Sequence, residues 1–439
     1  MIITRFAPSP TGRLHVGNVR TALLNWLLAR QQGGRFLLRL DDTDAARSTE
    51  AHAQSIRDDL AWLGMAPDAE EKQSARLPRY EAVLTGLAAA GHAYRCYETP
   101  EELDLKRKVL LGRGLPPVYD RAALTLTDAD HARFAAQAMP PHWRFKLSPQ
   151  APHAWDDLVR GPSHIDPASL SDPVIRRADG GWLYMLPSVI DDVDMGITHV
   201  VRGEDHVTNT GVQLQMFAAM GAAFPRFGHA ALLTGTDGAL SKRIGSVGVG
   251  EFRDRGIEPI ALKALLARLG TSQPVEAVTS SAPLIAGFDI ASLGRATARF
   301  DEAELVALNS RILHQTEHAA VADRTSLAEA QWNAVRGNIE TVAEADSWKA
   351  VFTGPVAPPA FGSEDKSFLA TAARLLEAMP FGEQTWSQLT SALKEQTGRK
   401  GKPLFMPLRQ ALTGREHGPD MANMLPLIGR EQALQRLRA

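Results

Sequence analysis

At 439 residues the chain exceeds the size at which a single hydrophobic core stops growing, so two or more compact units are expected. Its 44% hydrophobic, 22% charged and 6% aromatic composition is that of an ordinary globular protein, and no apolar run is long enough to span a bilayer, which argues against a membrane role. A net charge of -2 neither proposes nor excludes nucleic acid, because a local basic face can sit on a neutral protein.

In chain order, MIITRFA reads as a short buried strand and the proline- and glycine-rich stretch Pro8 to Gly12 as a turn. RTALLNWLLARQQGG follows as a helix, with Leu23, Leu24, Leu27 and Leu28 at helical spacing and Gly33 and Gly34 at its end. RFLLRL is a second apolar strand, followed by the acidic turn DDTDAARST and a helix from about Glu50 to Leu63. Strand, helix, strand in that order implies a parallel, doubly wound sheet, hence an α/β class. From about Tyr94 to Leu183, charged helical pieces and the turns LPPVYD and MPPHW interrupt the pattern, as an inserted α+β subdomain would. ITHVVRGEDH then resumes as a strand running into a polar turn, NTGVQLQMFAAMG as a helix, and HAALLTGTDGALSKR as a strand and hairpin-like turn. The remainder reads as helices separated by proline and glycine breaks, which makes an all-helical C-terminal region. The start MIITRFAPSP lacks the order of a secretory signal, and Cys96 is the only cysteine, so a cytoplasmic protein without disulfides or a multi-cysteine zinc site is expected.

Two stretches carry chemistry. A turn between a parallel strand and a helix places backbone N–H groups and the positive helix end at the carboxyl edge of the sheet, where anions and nucleotides bind. In RFAPSPTGRLHVGN, Gly12 and Gly17 would let a ligand approach the backbone, and His15 would point an imidazole at a phosphate. Far downstream, LSKRIGS places Ser241, Lys242 and Arg243 between Gly238 and Gly245, so that an ammonium could swing onto a phosphate in an in-line displacement. Either alone is a common surface feature. Together they form a two-point nucleotide clamp.

FAPSPTGRLHVGNVRTALLNWL together with LSKR resembles the class I aminoacyl-tRNA synthetases, and the glutamyl-tRNA synthetases among them. LRLDDTDAARST, DDVDMGITHVVRGEDHVTNT, FDEAELVALNSRIL and PLFMPLRQALTG are similar to further segments of that family, so the resemblance runs through nearly the whole chain. It implies a Rossmann-like parallel-sheet catalytic domain in two halves, residues 1–93 and 184–245, around an acceptor-end-binding insertion, residues 94–183. A helical stem-contact region, residues 246–310, and a helical anticodon-binding domain, residues 311–439, would follow.

The implied reaction is ATP-dependent ligation of glutamate to tRNA through glutamyl-adenylate. Arg5, Ala7, Ser9, Asp41, Tyr184, Ser188 and Arg202 would bind glutamate, with Asp41 taking the ammonium and Arg202 holding the side-chain carboxylate or supporting that pocket. A guanidinium fork suits this task because it makes two parallel hydrogen bonds and stays charged. For Arg202 the plain structural reading is an ion pair with Glu204 or Asp205, and for Arg5 a surface salt bridge. His15, Gly17, Asn18, Glu204, Ser241 and Lys242 would serve ATP, with His15, Gly17, Lys242 and Arg243 as the catalytic set. Mg2+ would come with the triphosphate. Thr43, Asp44 and Arg47 would meet the tRNA acceptor end, although DTDAAR also reads as a helix N-cap. Arg399, Lys400, Lys402 and Arg409, in a basic stretch that also holds Lys394 and Arg415, would contact tRNA phosphates. The expected acceptor is tRNA-Glu, with tRNA-Gln as the alternative, and a monomer is expected.

The chain departs from the family pattern in having Asp41 for glutamate, Ala239 for lysine and Ser188 for asparagine. It also lacks zinc-binding cysteines apart from Cys96, so no zinc is expected. Competing readings are an enzyme of the same fold that glutamylates a modified tRNA base, a tRNA- or nucleotide-binding protein that has lost catalysis, and a generic adenylyl-transferring enzyme. The first would leave the residues beyond about 310 without a task.

Overall fold

The computed structural model describes residues 1–235, 238–239 (as backbone) and 248–438. The chain forms two compact units interleaved in sequence. The first comprises Met1–Glu251, Lys263–Val275 and Ser280–Asp301, and the second Phe252–Leu262, Glu276–Thr279 and the described chain from Glu302 onward.

In the first unit, β1 (Ile3–Phe6), β2 (Arg35–Leu40) and β3 (Ala69–Lys72) make a parallel sheet in the order β1-β2-β3. The run RFLLRL is buried from its second residue on, as befits a strand covered on both faces. Helix α1 (Val16–Gln31) crosses between β1 and β2, and it buries Trp26, Ala22 and Asn25 as well as the leucines at helical spacing. A Cβ at Gly34, in the turn leaving α1, would collide with the Ile2 carbonyl oxygen, which accepts the Arg35 N–H at 2.9 Å. Only glycine lets the chain turn back so tightly into β2.

Helices α2 (Glu50–Trp62) and α3 (Leu77–Ala89) complete the first half. The next segment holds an antiparallel sheet of β4 (Ala93–Cys96), β5 (His142–Phe145) and β8 (Val174–Arg176), with helices α4 (Pro100–Gly112) and α5 (Asp128–Ala136). It also holds the hairpin of β6 (Ala154–Asp157) and β7 (Gly161–His164). This segment packs into a core that it shares with the halves flanking it. Phe145, Trp155, Ile175 and Trp182 share one apolar cluster with Leu37, Leu84, Val189 and Phe227.

After α6 (Met185–Asp194), a second parallel pair forms between β9 (His199–Gly203) and β10 (Arg226–Ala230), connected by α7 (Val207–Ala219). Thr198, one residue before β9, bonds Ile3 of β1 from both its backbone N–H, at 2.9 Å to the Ile3 oxygen, and its hydroxyl, which accepts the Ile3 N–H at 2.8 Å. Farther along, the strands are bridged from the helix above. The Asn25 side chain donates to the Val201 oxygen at 2.7 Å and accepts the Val201 N–H at 3.3 Å. The strand order therefore runs outward from β1 on one side and from β9 on the other. Such a reversal leaves a crevice at the carboxyl ends of the strands. Strand β11 (Leu233–Gly235) then pairs antiparallel with β12 (Gly238–Ala239) and parallel with β13 (Ala298–Arg299).

From residue 302 every regular element among the described residues is helical. The long helices Ser363–Ala378, Thr385–Thr397 and Lys402–Thr413 contribute Leu376, Leu393, Leu408 and Leu412 to one core, which also contains fully buried Trp332. The indole N–H of Trp332 is satisfied by the Thr316 oxygen at 2.9 Å. Buried Arg436, in the last helix, donates to the carbonyls of Leu412 at 2.6 Å and of Val351 and Gly354 at 2.8 Å. It thereby caps helix ends that lack their own partners.

Candidate active site

The crevice at the β1/β9 reversal opens into a cleft of about 1210 Å³ lined entirely by the first unit. Arg5, Ala7, Ser9, Asp41, Tyr184, Ser188 and Arg202 all line it. His15, Gly17, Asn18, Thr43, Asp44 and Arg47 line it too.

The proline-rich turn is tied across the mouth of the sheet. The carbonyls of Pro8 and Pro10 accept the N–H groups of Asp41 and Thr49 at 3.0 and 3.1 Å, so the turns after β1 and β2 hold one another. Thr49, not DTDAAR, caps α2 by accepting the His52 N–H. Asp44 and Arg47 instead pair with each other at 2.7 Å on the rim.

His15 is the N-cap of α1. Its Nδ1 accepts the N–H groups of Gly17 and Asn18 at 3.1 and 3.3 Å, and the Asn18 side chain accepts the His15 N–H at 3.2 Å. These two amides are thus already satisfied by the His15 ring. With Nδ1 accepting, the ring hydrogen belongs on Nε2, and burial pushes the imidazole pKa down, so the ring is a neutral donor. Glycine at 17 has a local reason: a Cβ there would stand 3.0 Å from the His15 ring.

The floor of the cleft is a charge network centred on fully buried Arg39. Its Nε and Nη2 donate to the two oxygens of Asp41 at 2.7 and 3.2 Å, its Nη1 to Asp192 at 2.7 Å, and its Nη2 to the Ser188 hydroxyl at 2.8 Å. Burial disfavours the Arg39 charge, but the attraction of Asp41 and Asp192 outweighs it and holds the pKa above the usual arginine value. Asp191 is hydrogen-bonded by Gln73, Arg76 and Tyr80 and also lies 3.8 Å from Arg39 Nε. Arg5 is not at the surface: it is buried and donates to Asp192 at 3.2 Å. Sequence reasoning missed Arg39, Asp191 and Asp192. The available signal was alternation on β2, which puts Arg39 and Asp41 on one face.

Arg202, at the end of β9, is 6% exposed. It pairs with neither Glu204 nor Asp205. Its Nε donates to His229 at 3.3 Å, and its Nη2 donates to Thr210 and Gln213 at 2.5 and 2.8 Å. Among the described residues it has no ion-pair partner. Burial, and then the nearby Arg5 charge, push its pKa down to about 10, so it remains charged at neutral pH. A buried cation without a counter-ion is costly, and an anion entering the cleft would relieve it. Tyr184 stands nearby with its hydroxyl 3.3 Å from His206 Nδ1.

Glu204 does not line the cleft. Arg160 donates to its carboxylate at 2.8 Å and the Leu232 N–H at 3.2 Å, and these two partners turn it away. Ser241, Lys242 and Arg243 lie outside the described residues. In the second unit, Lys400 and Lys402 are exposed, whereas Arg399 pairs with Asp365 at 2.5 Å over the Phe368 ring and Arg409 donates to the Pro419 oxygen at 3.0 Å. The basic stretch is therefore divided between exposed lysines and arginines already engaged in the fold. Arg415 likewise stacks on Trp348, 3.9 Å from the ring centre. Away from the cleft, Cys96, Glu98 and His142 bring candidate donor atoms within 4.8 Å of one another.

The chain matches known families and proteins over its whole length. A family model described as "tRNA synthetases class I (E and Q), catalytic domain" matches residues 1–307, and one described as "Anticodon binding domain" matches residues 307–439. Glutamate--tRNA ligase 1 of Rhizorhabdus wittichii is 62% identical over 441 residues, covering 100% of this chain and 99% of that protein. Glutamate--tRNA ligase 1 of Novosphingobium aromaticivorans is 59% identical over 439 residues, with 100% and 99% covered. A solved glutamate tRNA ligase from Elizabethkingia meningosepticum, in complex with its amino acid, superposes with a TM-score of 0.84 at 26% identity, covering 99% of this chain and 98% of that one. Family models that together span the chain, and relatives and solved structures matched from end to end, establish that the chain belongs to the class I tRNA synthetases, in the glutamate--tRNA ligase family.

Proposed function

We propose that the chain activates L-glutamate with ATP and transfers it to tRNA-Glu for protein synthesis. The observation that carries the substrate choice is Arg202, a buried guanidinium whose hydrogen-bond partners are all neutral. The side-chain carboxylate of glutamate supplies the missing charge, with Arg5 adding to the local positive potential. Glutamine, lacking that charge, leaves Arg202 uncompensated. Asp41 receives the substrate ammonium through the lone pairs that Arg39 leaves open, while Ala7, Ser9, Tyr184 and Ser188 shape the pocket wall.

The α-carboxylate of glutamate then attacks the α-phosphorus of ATP. One P–O bond forms, the bond to the departing pyrophosphate breaks, and glutamyl-adenylate results. His15 donates from Nε2 to a phosphate oxygen, beside Gly17 and Asn18. Lys242 and Arg243 neutralise the charge that accumulates on pyrophosphate, and Ser241 binds ATP beside them. Mg2+ bound with ATP would screen the triphosphate charge. A terminal ribose hydroxyl of tRNA next attacks the glutamyl carbonyl and expels AMP, with Thr43, Asp44 and Arg47 at the rim guiding the acceptor end. Lys400 and Lys402 contribute phosphate contacts from the second unit, and Arg399 and Arg409 shape that surface.

We further propose a cytoplasmic monomer without resident zinc. Cys96, Glu98 and His142 offer three donors where structural zinc takes four. No helix among the described residues is long and apolar enough to cross a membrane. Charging of purified tRNA-Glu and tRNA-Gln with labelled glutamate, each with and without ATP, tests the reading. ATP-dependent charging of tRNA-Glu supports it, charging of tRNA-Gln as well widens the acceptor range, and charging of neither rejects it.

A further inference from the structure

We propose that Asp157 and His229 are positioning residues for glutamate selection, acting as a buried relay that fixes the Arg202 guanidinium; this rests on Arg202 being the seat of the glutamate side chain. Asp157 comes from hairpin strand β6 and His229 from β10, 72 residues apart, and both side chains are fully buried. The hairpin reaches that place because the Leu158 N–H bonds the Phe227 carbonyl at 2.8 Å, which lays β6 along β10.

The Thr210 contact at His229 Nε2, 2.8 Å, is compatible with either tautomer, and the Arg202 contact selects between them. Arginine can only donate, so the Arg202 Nε bond at 3.3 Å makes His229 Nε2 an acceptor. The ring hydrogen must then lie on Nδ1, where it is donated to Asp157 Oδ2 at 2.5 Å. Thr210 stands 2.8 Å from the same Nε2 and also accepts from Arg202 Nη2, which fixes the guanidinium at a second point. Gln213 fixes it at a third. Among the described residues, Nη1 is the guanidinium nitrogen left without a partner, in a residue that lines the cleft. Asp157 is itself immobilised, because its Oδ1 accepts the backbone N–H groups of Val159, Arg160 and His229 at 3.0, 3.0 and 3.1 Å. The relay thus sets both the tautomer of His229 and the plane in which Arg202 presents its free edge. A carboxylate that holds an imidazole in one tautomer is an established way to orient a neighbouring functional group.

Asp157→Asn isolates the effect. The asparagine oxygen can keep the three backbone bonds, while its NH2 group faces His229 Nδ1 and also meets the Trp155 N–H that now donates to Asp157 at 3.1 Å. Facing a donor, His229 moves its hydrogen to Nε2, where it opposes the Arg202 Nε–H. The expected result in tRNA-Glu charging is a glutamate KM raised about tenfold, the size of one hydrogen bond to a charged group, with the ATP KM unchanged. His229→Gln, whose amide oxygen can still accept from Arg202, should raise the glutamate KM less. On that background Asp157→Asn should add little, because no imidazole tautomer remains to be set.

Thermal unfolding of each variant checks that it folds. Equal additive costs in the double variant, or parallel changes in the KM for glutamate and ATP, would mean a merely structural role and would overturn the proposal. Arg202→Ala separates the two levels of inference. If it leaves the glutamate KM unchanged, the glutamate-seat reading fails and the relay with it; if it raises that KM while Asp157→Asn does not, the relay alone fails.

Discussion

Arg5 Nε donates to Asp192 Oδ1 at 3.2 Å, with both side chains buried and the two residues 187 positions apart in the chain. The same oxygen accepts from Arg39 Nη1 at 2.7 Å. One carboxylate thus compensates two cations under the cleft, and its removal leaves both without it. Asp192→Ala is therefore expected to destabilise the protein by about 3–5 kcal/mol, read from the urea unfolding midpoint. A loss below about 1 kcal/mol would show that the network is solvated.

His15 combines two tasks that substitutions can separate. Asparagine is among the best N-caps, so His15→Asn is expected to keep stability within about 0.5 kcal/mol while slowing adenylate formation about 100-fold through loss of the Nε2 donor. His15→Ala should show the same kinetic loss and in addition cost about 1 kcal/mol in stability. Full adenylate formation by the asparagine variant would reduce His15 to a cap.

Lys263 is 5% exposed, donates to the Ser281 hydroxyl at 2.7 Å, and has no ion-pair partner among the described residues. Burial pushes its pKa down to about 8 from 10.5. A lowered lysine pKa means that folding disfavours the charged form. The penalty is present in full below pH 8 and fades as pH rises towards the unfolded value. Lys263→Met is expected to raise stability by about 2 kcal/mol at pH 7, after allowance for the lost Ser281 bond, with the gain shrinking by pH 10. Unfolding curves of both proteins across that range provide the check.

The basic stretch near residue 400 divides by exposure. Lys402→Ala should weaken tRNA binding and lower the slope of log affinity against log salt by roughly 0.7–0.9, with adenylate formation unchanged. Arg399→Ala should instead cost about 1 kcal/mol in stability, because its guanidinium is engaged with Asp365 and Phe368. Salt titrations of tRNA binding, beside thermal unfolding, distinguish the two.

What the sequence revealed follows from the range of the interactions involved. The opening strand, turn and helix are local, and their periodicity and punctuation mark them out in the chain. Arg202 was legible as a pocket residue only through resemblance, since ITHVVRGEDH by itself suggests an ion pair with Glu204 or Asp205. Those acids lie near it in the chain, but the 3₁₀ turn after β9 turns Glu204 towards Arg160. The partners Arg202 does have, His229, Thr210 and Gln213, come from β10 and α7. The Arg39 network was equally hidden: Asp192 lies 153 residues away, and no local pattern states that pairing. His15 carries a second task that HVGN does not announce: histidine is not among the preferred caps, yet its Nδ1 caps the helix.

The most direct measurement is the steady-state charging of tRNA-Glu with glutamate by Arg202→Ala beside the unaltered protein. The expected result is a fall of about 30- to 1000-fold in kcat/KM for glutamate, or about 2–4 kcal/mol of transition-state stabilisation, with the KM for ATP within about twofold. Unchanged glutamate kinetics would contradict the assignment of Arg202 as the group that selects the substrate.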